Sequence, residues 1–272
     1  MSRATIIGLL VGVGLFLASI WAATDNMLIF VNAPSLLLVL GGTLANAFIS
    51  YQSQSVLTAL RDIGRMFGRF PVDRELLHGD VTRVVEWARK VAIHGILSLE
   101  EELQTGAAHD PMLQQGVKLV VDGWKPEDVR DLLGNHVESE YFRSTEQVQI
   151  LRNMAATAPA FGMVGTLVGL IIMLDSLGGD PKTLGAGLAI ALLTTLYGVL
   201  LARLLFQPAA DKTLQRERLT RFRNYLMLEG FVLLANGEMP RAVELKLNSY
   251  LDPANPVQVP RPGRPALPAG GA

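Results

Sequence analysis

Met154-Ala-Ala-Thr-Ala-Pro159-Ala-Phe-Gly-Met-Val-Gly165-Thr166-Leu-Val-Gly169 begins the stretch that decides the fold. The run stays apolar to Leu177, turns through Gly178-Gly-Asp-Pro-Lys182, and resumes from Leu184 to Phe206. Each of the two runs reaches the ~20 residues an α-helix needs to cross a bilayer. Both are rich in Gly, Ala and Thr. Lipid tails are as apolar as Leu, so membrane helices associate by close packing, which small residues permit. Gly165 and Gly169 form a GxxxG face with Gly162 nearly on it. Thr166, Thr194 and Thr195 place hydroxyls in otherwise apolar spans. They either bond back to their own helix carbonyls or line a wet path for a cation, supplying oxygen without a buried charge. Pro159 lacks an N–H, which leaves the Ala155 carbonyl without its usual donor and favours a kink near one membrane face.

Outward from this pair the chain repeats the theme. Thr5 to Ala23 and Leu28 to Ile49 are apolar, with Asp25-Asn26 between them. The first reads as a retained span, because no small-x-small cleavage site follows it. Residues 50–153 carry most of the charge and no membrane-length apolar run. There, Ser55 to Phe70 predicts an amphipathic helix with a basic stripe at Arg61, Arg65 and Arg69, lying on an anionic membrane surface or packed on its own domain. Further helices are expected from Asp80, as a cap, to Ala92, from Ser98 to Gln104, from Met112 to Val121 and from Pro126 onward. After Phe206 a charged helix leads to Asn236-Gly237, which stops it, and Pro240 starts another. From Pro253 the Pro- and Ala-rich tail is expected to be disordered.

The expected architecture is an all-α integral membrane protein: four transmembrane helices plus a helical cytoplasmic domain. Its segments are 1–49 (helices one and two), 50–153 (cytoplasmic helices with the interface helix), 154–207 (helices three and four), 208–252 (cytoplasmic helices) and 253–272 (tail). Arg and Lys cluster beside the bulky segments, so these and both termini face the cytoplasm.

Some classes are excluded. The formal net charge of -1 over 272 residues does not suggest a nucleic-acid partner, and the absence of cysteine removes disulfides and Cys-based metal sites. No phosphate loop, dinucleotide fingerprint, zinc motif or nucleophile elbow is present, so no catalytic residue, metal site or cofactor is assigned and the chain is not read as an enzyme. His78, His94, His109 and His136 lack metal-ligand spacing. The spans hold no ionisable group near their centres; Asp175 and Arg203 lie near opposite ends. If the chain conducts a cation, the carboxylate that carries it belongs to a partner.

Ala158-Pro159-Ala-Phe-Gly-Met-Val-Gly-Thr166-Leu-Val-Gly-Leu, Asp180-Pro181-Lys182 and Ala191-Leu-Leu-Thr-Thr195-Leu-Tyr-Gly198 resemble the A subunits of flagellar motor stators, the MotA/PomA family, nearest to its sodium-type branch. Leu119-Val-Val-Asp-Gly, Ala88-Arg-Lys and Pro240-Arg-Ala-Val-Glu extend the resemblance over roughly residues 5–251. It implies a homopentameric ring in the bacterial inner membrane around a dimer of B subunits. Each B subunit has one span with an ion-binding Asp and a domain that grips peptidoglycan. Inward flow of Na+ or H+ then turns the ring, and the ring pushes on the rotor switch protein. Residue by residue, Pro159 and Pro240 resemble the family's coupling prolines. Thr166 and Thr195 match its ion-path hydroxyls, with Thr194 beside them. Arg89 and Lys90 resemble its rotor-facing basic pair, and Glu100 its rotor-facing acid. The spacing from Lys90 to Glu100 exceeds the family's by about one helical turn. An energiser of the related ExbB/TolQ type is the alternative; those relatives usually have three spans and a different loop order. A membrane scaffold without ion flow is a further reading.

Overall fold

The computed structural model describes residues 3–66, 68, 72–105, 110–178 and 181–257. Arg69, Gly179-Asp180 of the hairpin and the tail beyond Val257 lie outside them. Every regular element among the described residues is helical: α1 (Arg3–Ala23), α2 (Ala33–Ser50), α3 (Ser53–Arg65), α4 (Arg74–His94), α5 (Glu100–Thr105), α6 (Pro111–Val121), α7 (Pro126–Asp175), α8 (Pro181–Leu200), α9 (Gln207–Ala235) and α10 (Pro240–Asn248), with a π-helical turn over Leu201–Phe206. Among the described residues, three segments are long and apolar enough to cross a membrane: Met27–Ser50, and the apolar parts of Pro126–Asp175 and Thr183–Ala235. Leu10–Ala23 is a shorter apolar helix.

The chain divides into two compact units, one of residues 1–70 and 143–217, the other of 71–142 and 218–272. In the first, α3 buries Val56 and Ala59 among Val148, Leu151 and Phe206. The stripe helix therefore packs on its own unit, with Arg61 and Arg65 left exposed. The Phe161 ring of α7 stands against Gly42 of α2, where an added Cβ would lie 2.3 Å from it. One helical turn further along, Asn46 Nδ2 donates to Asn153 Oδ1 at 3.0 Å and to Thr157 Oγ1 at 3.3 Å. Such bonds between membrane helices contribute about 0.6 kcal/mol each on average. Tyr197 of α8 donates to the Phe30 carbonyl at 2.5 Å and accepts from Asn32 N–H at 2.9 Å, tying down the α1–α2 connection.

The second unit encloses Val84, Trp87, Leu113, Val120, Leu133 and Phe231. Phe231 stacks on Trp87 at 5.9 Å and covers Gly116, so α6 approaches as closely as its glycine permits. Here helix boundaries differ from expectation. Asp80 does not begin a helix. Asp73 does, accepting from Leu76 N–H at 2.9 Å, and Asp80 is buried within α4 at 1% exposure. Its burial is tolerable because Arg223 Nε donates to it at 2.6 Å. Gly95, at φ +81°, ends α4, and a 3-10 turn over Ile96–Leu99 precedes α5. The expected single helix from Ser98 is thus two short pieces. At the other end Asn248 pairs with both the N–H and the carbonyl of Val257, each at 2.8 Å, and Val257 is buried. The stretch expected to be disordered from Pro253 is therefore held as far as Val257.

Candidate functional site

The site is the contact between α7 and α8. A Cβ added to Gly169 would stand 2.6 Å from Ala191 N and Gly187 O; one on Gly187, 2.8 Å from Gly169 O; one on Gly198, 2.7 Å from Ala158 O. One on Gly165 would collide with the Thr194 side chain, and one on Gly162 would meet Thr194 O at 3.0 Å. The two backbones therefore touch along a seam of Ala158, Gly162, Gly165 and Gly169 against Gly187, Ala191, Thr194 and Gly198. Both sets follow the 3.6-residue period, as one face of a helix must. Index falls on α8 as it rises on α7, so the helices are antiparallel.

This register fixes where the threonines go. In antiparallel right-handed helices that face each other, one step forward from a contact residue turns by about 100° on each, toward the same side. The residues following seam positions are Pro159, Met163, Thr166 and Leu170 on α7, and Leu188, Leu192, Thr195 and Val199 on α8. They share one flank. That flank is open: Met163 is 63% and Leu192 65% exposed, Thr195 is exposed, and Pro159 and Thr166 are half-buried. Thr166 lies about one helical turn, ~6 Å, along the seam from Thr195. Thr166 Oγ1 donates to Met163 O at 2.6 Å, and Thr195 Oγ1 reaches Ala191 O only at 3.5 Å. Each hydroxyl donates inward and leaves oxygen lone pairs for a cation.

Thr194 does not share this flank. It is fully buried in the seam, and its hydroxyl donates to Ile190 O at 2.9 Å and Ala191 O at 3.0 Å. Of the three threonines, the structure turns two to the open side and packs the third.

At its Pro159 end the flank opens into a cleft of about 360 Å³ lined by Arg152, Ala155, Ala156, Pro159, Ala202, Arg203 and Gln207. Its far wall includes part of the π-helical turn, which no pattern in the sequence announces. Such turns occur mostly as single interruptions of α-helices and often at functional sites. Both helices thus depart from regular hydrogen bonding beside one cleft: α7 where Pro159 has no N–H, and the α8–α9 run at the π turn. Arg152 pairs with Asp211 at 3.6 Å, and Asp211 also accepts from Gln207 at 3.1 Å.

The charged candidates belong to the other unit. Lys90 pairs with Glu102, two residues beyond the acid the resemblance marked. Their hydrogen bond, more than burial, raises the Lys90 ammonium above its ordinary range and holds the Glu102 carboxyl below its own. The tie is complete at neutral pH. It is lost as pH falls below 4.5 through the lowered Glu102 value, or rises past 10.5 through the raised Lys90 value. Glu100 is exposed and has no ion pair among the described residues. Arg89 is half-buried and partnered. Pro240 is the first residue of α10 and half-buried, while Pro159 lies in the other unit. Among the described residues no group of three or more acidic or imidazole side chains forms a metal site.

Residues 104–222 match the sequence profile of the MotA/TolQ/ExbB proton channel family. The chain is 33% identical to the chemotaxis protein PomA of Vibrio alginolyticus over 254 residues, 93% of this chain and 96% of that protein. It is 32% identical to motility protein A of Borreliella burgdorferi, over 95% and 97% of the two chains. Its fold matches a chain of the C. jejuni MotAB structure with a TM-score of 0.84 at 24% identity, covering 95% of this chain and 99% of that one.

Proposed function

This chain belongs to the MotA/TolQ/ExbB proton channel family, and from that premise we propose that it is the A-type subunit of a flagellar motor stator. Identity near one third, running almost end to end with PomA and motility protein A, carries the reading. The open flank gives it a mechanism. Thr166 and Thr195 present oxygens on one side of a tightly closed seam, and no acid of this chain stands at mid-span. A single partner helix bearing a carboxylate, laid on that flank, would complete a cation path. Pro159 lies on the same flank, beside the cleft and the π turn. A change of charge on the partner would therefore act where both helices are already irregular.

In this reading α1 is a fourth span, both termini are cytoplasmic, and the chain sits in the bacterial inner membrane as a homopentamer. A peptidoglycan-anchored B-type dimer fills its centre, and the transported cation is Na+ or H+. The second unit carries torque to the rotor switch protein, and Lys90, Arg89 and the acids of α5 are its contact candidates. No observation of this structure favours the ExbB/TolQ alternative, and the relatives named above are motility and chemotaxis proteins.

The stoichiometry tests the reading. Co-expressed with its B-type subunit, the purified complex should weigh five copies of this chain plus two of the partner by native mass spectrometry. A complex lacking any single-span partner would contradict it.

Thr195→Val and Thr194→Val separate path from packing. Thr195→Val should cut cation flux and swimming speed at least tenfold with the amount of complex unchanged. Thr194→Val keeps the seam's shape and gives up only a bond to its own helix, worth about 1 kcal/mol. It should keep most of the speed. Equal loss in both, read by swimming speed against complex abundance, would remove the flank from the mechanism.

A further inference from the structure

Away from the seam, the first unit has a second cleft, of about 260 Å³, walled by Thr58, Asp62 and Arg65 of α3, Arg143, Ser144 and Gln147 of α7, and Arg216 and Glu217 of α9. Among the described residues, two of its three arginines have no carboxylate partner. Arg65 Nη1 donates to Asp62 at 3.2 Å, which settles that pair. Glu217 is partnered as well. Among the described residues, Arg216 donates only to a backbone oxygen, that of Arg65 at 2.8 Å, and its buried Nε–H meets no acceptor. Arg143 is exposed and makes no ion pair among the described residues. A buried donor left unmade is costly, and two unanswered guanidiniums on one concave surface repel each other. An oxyanion between them removes both costs, since the guanidinium fork matches phosphate geometry. The Ser144 hydroxyl, which makes no hydrogen bond among the described residues, would add a further donor. At about 260 Å³ the cleft is large enough to admit a phosphate group.

We propose that this cleft, between Arg143 and Arg216, binds a phosphate-class oxyanion. Its depth bears on the source. Arg143 precedes the apolar run of α7 by eleven residues, and Arg216 follows Phe206 by ten. At 1.5 Å per residue, helices along the membrane normal carry both about 15 Å past the hydrocarbon edge, whereas the headgroup layer is only about 5–8 Å deep. That favours a dissolved phosphate compound over a lipid headgroup.

The test uses the full chain in phosphatidylcholine nanodiscs, titrated with inorganic pyrophosphate by calorimetry at fixed ionic strength. Wild type should saturate. Arg143→Gln, a change on an exposed side chain that leaves the fold intact, should weaken binding at least tenfold, and adding Arg216→Gln should abolish it. Arg61→Gln, on α3 but outside the cleft, should stay within twofold. A parallel series in nanodiscs containing phosphatidylglycerol separates the sources. If a headgroup fills the cleft, pyrophosphate affinity drops there for wild type, and the anionic lipid's added thermal stability vanishes in Arg143→Gln. Either pattern supports an oxyanion site. No saturable binding and no lipid effect, or equal loss in Arg61→Gln, overturns it.

Discussion

Gly169→Val should remove the protein from the membrane as a functional subunit. The new Cβ would lie 2.6 Å from two backbone atoms of α8, Ala191 N and Gly187 O. A side chain could rotate away, but a helix backbone can yield only by moving as a whole, so the seam must part along its length. Overpacking a core with flexible neighbours costs about 1–3 kcal/mol. With no rotamer to absorb the strain, the cost should reach or exceed the top of that range. The parted seam also forfeits the close backbone packing that holds membrane helices together in the absence of a hydrophobic drive. The expected outcome is under one tenth of wild-type protein in a monodisperse peak after detergent extraction, and no motility. Gly41→Val is the control, because nothing lies within 4 Å of its Cβ. It should leave the peak largely unchanged. Comparable loss in both would mean that the seam is not the determinant.

The second large effect is expected in the other unit. Arg223 reaches Asp80 at 2.6 Å and Asp110 at 2.5 Å, while Asp110 also caps α6 through Met112 N–H at 3.0 Å. Arg223→Leu strands Asp80 at 1% exposure with only Arg83, 3.8 Å away, to answer its charge. Breaking one side of a buried pair costs about 3–5 kcal/mol. Hydrogen exchange in α4 and α6 should therefore accelerate by about two to three and a half powers of ten, at ~1.4 kcal/mol per tenfold. Adding Asp80→Leu removes the stranded charge and should recover part of that protection. A single variant that exchanges like wild type would show that Arg223 does not hold the three elements together.

The α7 side of the seam was legible in the sequence because glycines at helical spacing make up most of it. Gly165 and Gly169 declare one face; Gly187, Ala191, Thr194 and Gly198 emerge as its partner only in the structure. The phase of the threonines was not legible. Thr194 and Thr195 are chemically alike and adjacent, and the ~100° between them acquires meaning only when another helix covers one side. Asp80 misled for a related reason. An Asp before an apolar run reads as a cap, and only the distant Arg223, 143 residues along, shows that it is buried inside the helix. The resemblance marked Glu100, the first acid of the run Glu100-Glu101-Glu102, beside Lys90. Gly95 and the 3-10 turn reset the helical phase ahead of α5, so Glu102 is the one that meets it. The π turn carries no sequence signature, since its residues, Leu-Ala-Arg-Leu-Leu-Phe, suit an ordinary helix.

The most direct test of a stator role is to delete the gene in its native host and view the cells with filaments stained. The expected result is paralysed cells bearing complete filaments, because the rotor is built but nothing drives it, with swimming restored by the wild-type gene. Normal swimming in a host with no second stator set would contradict the account.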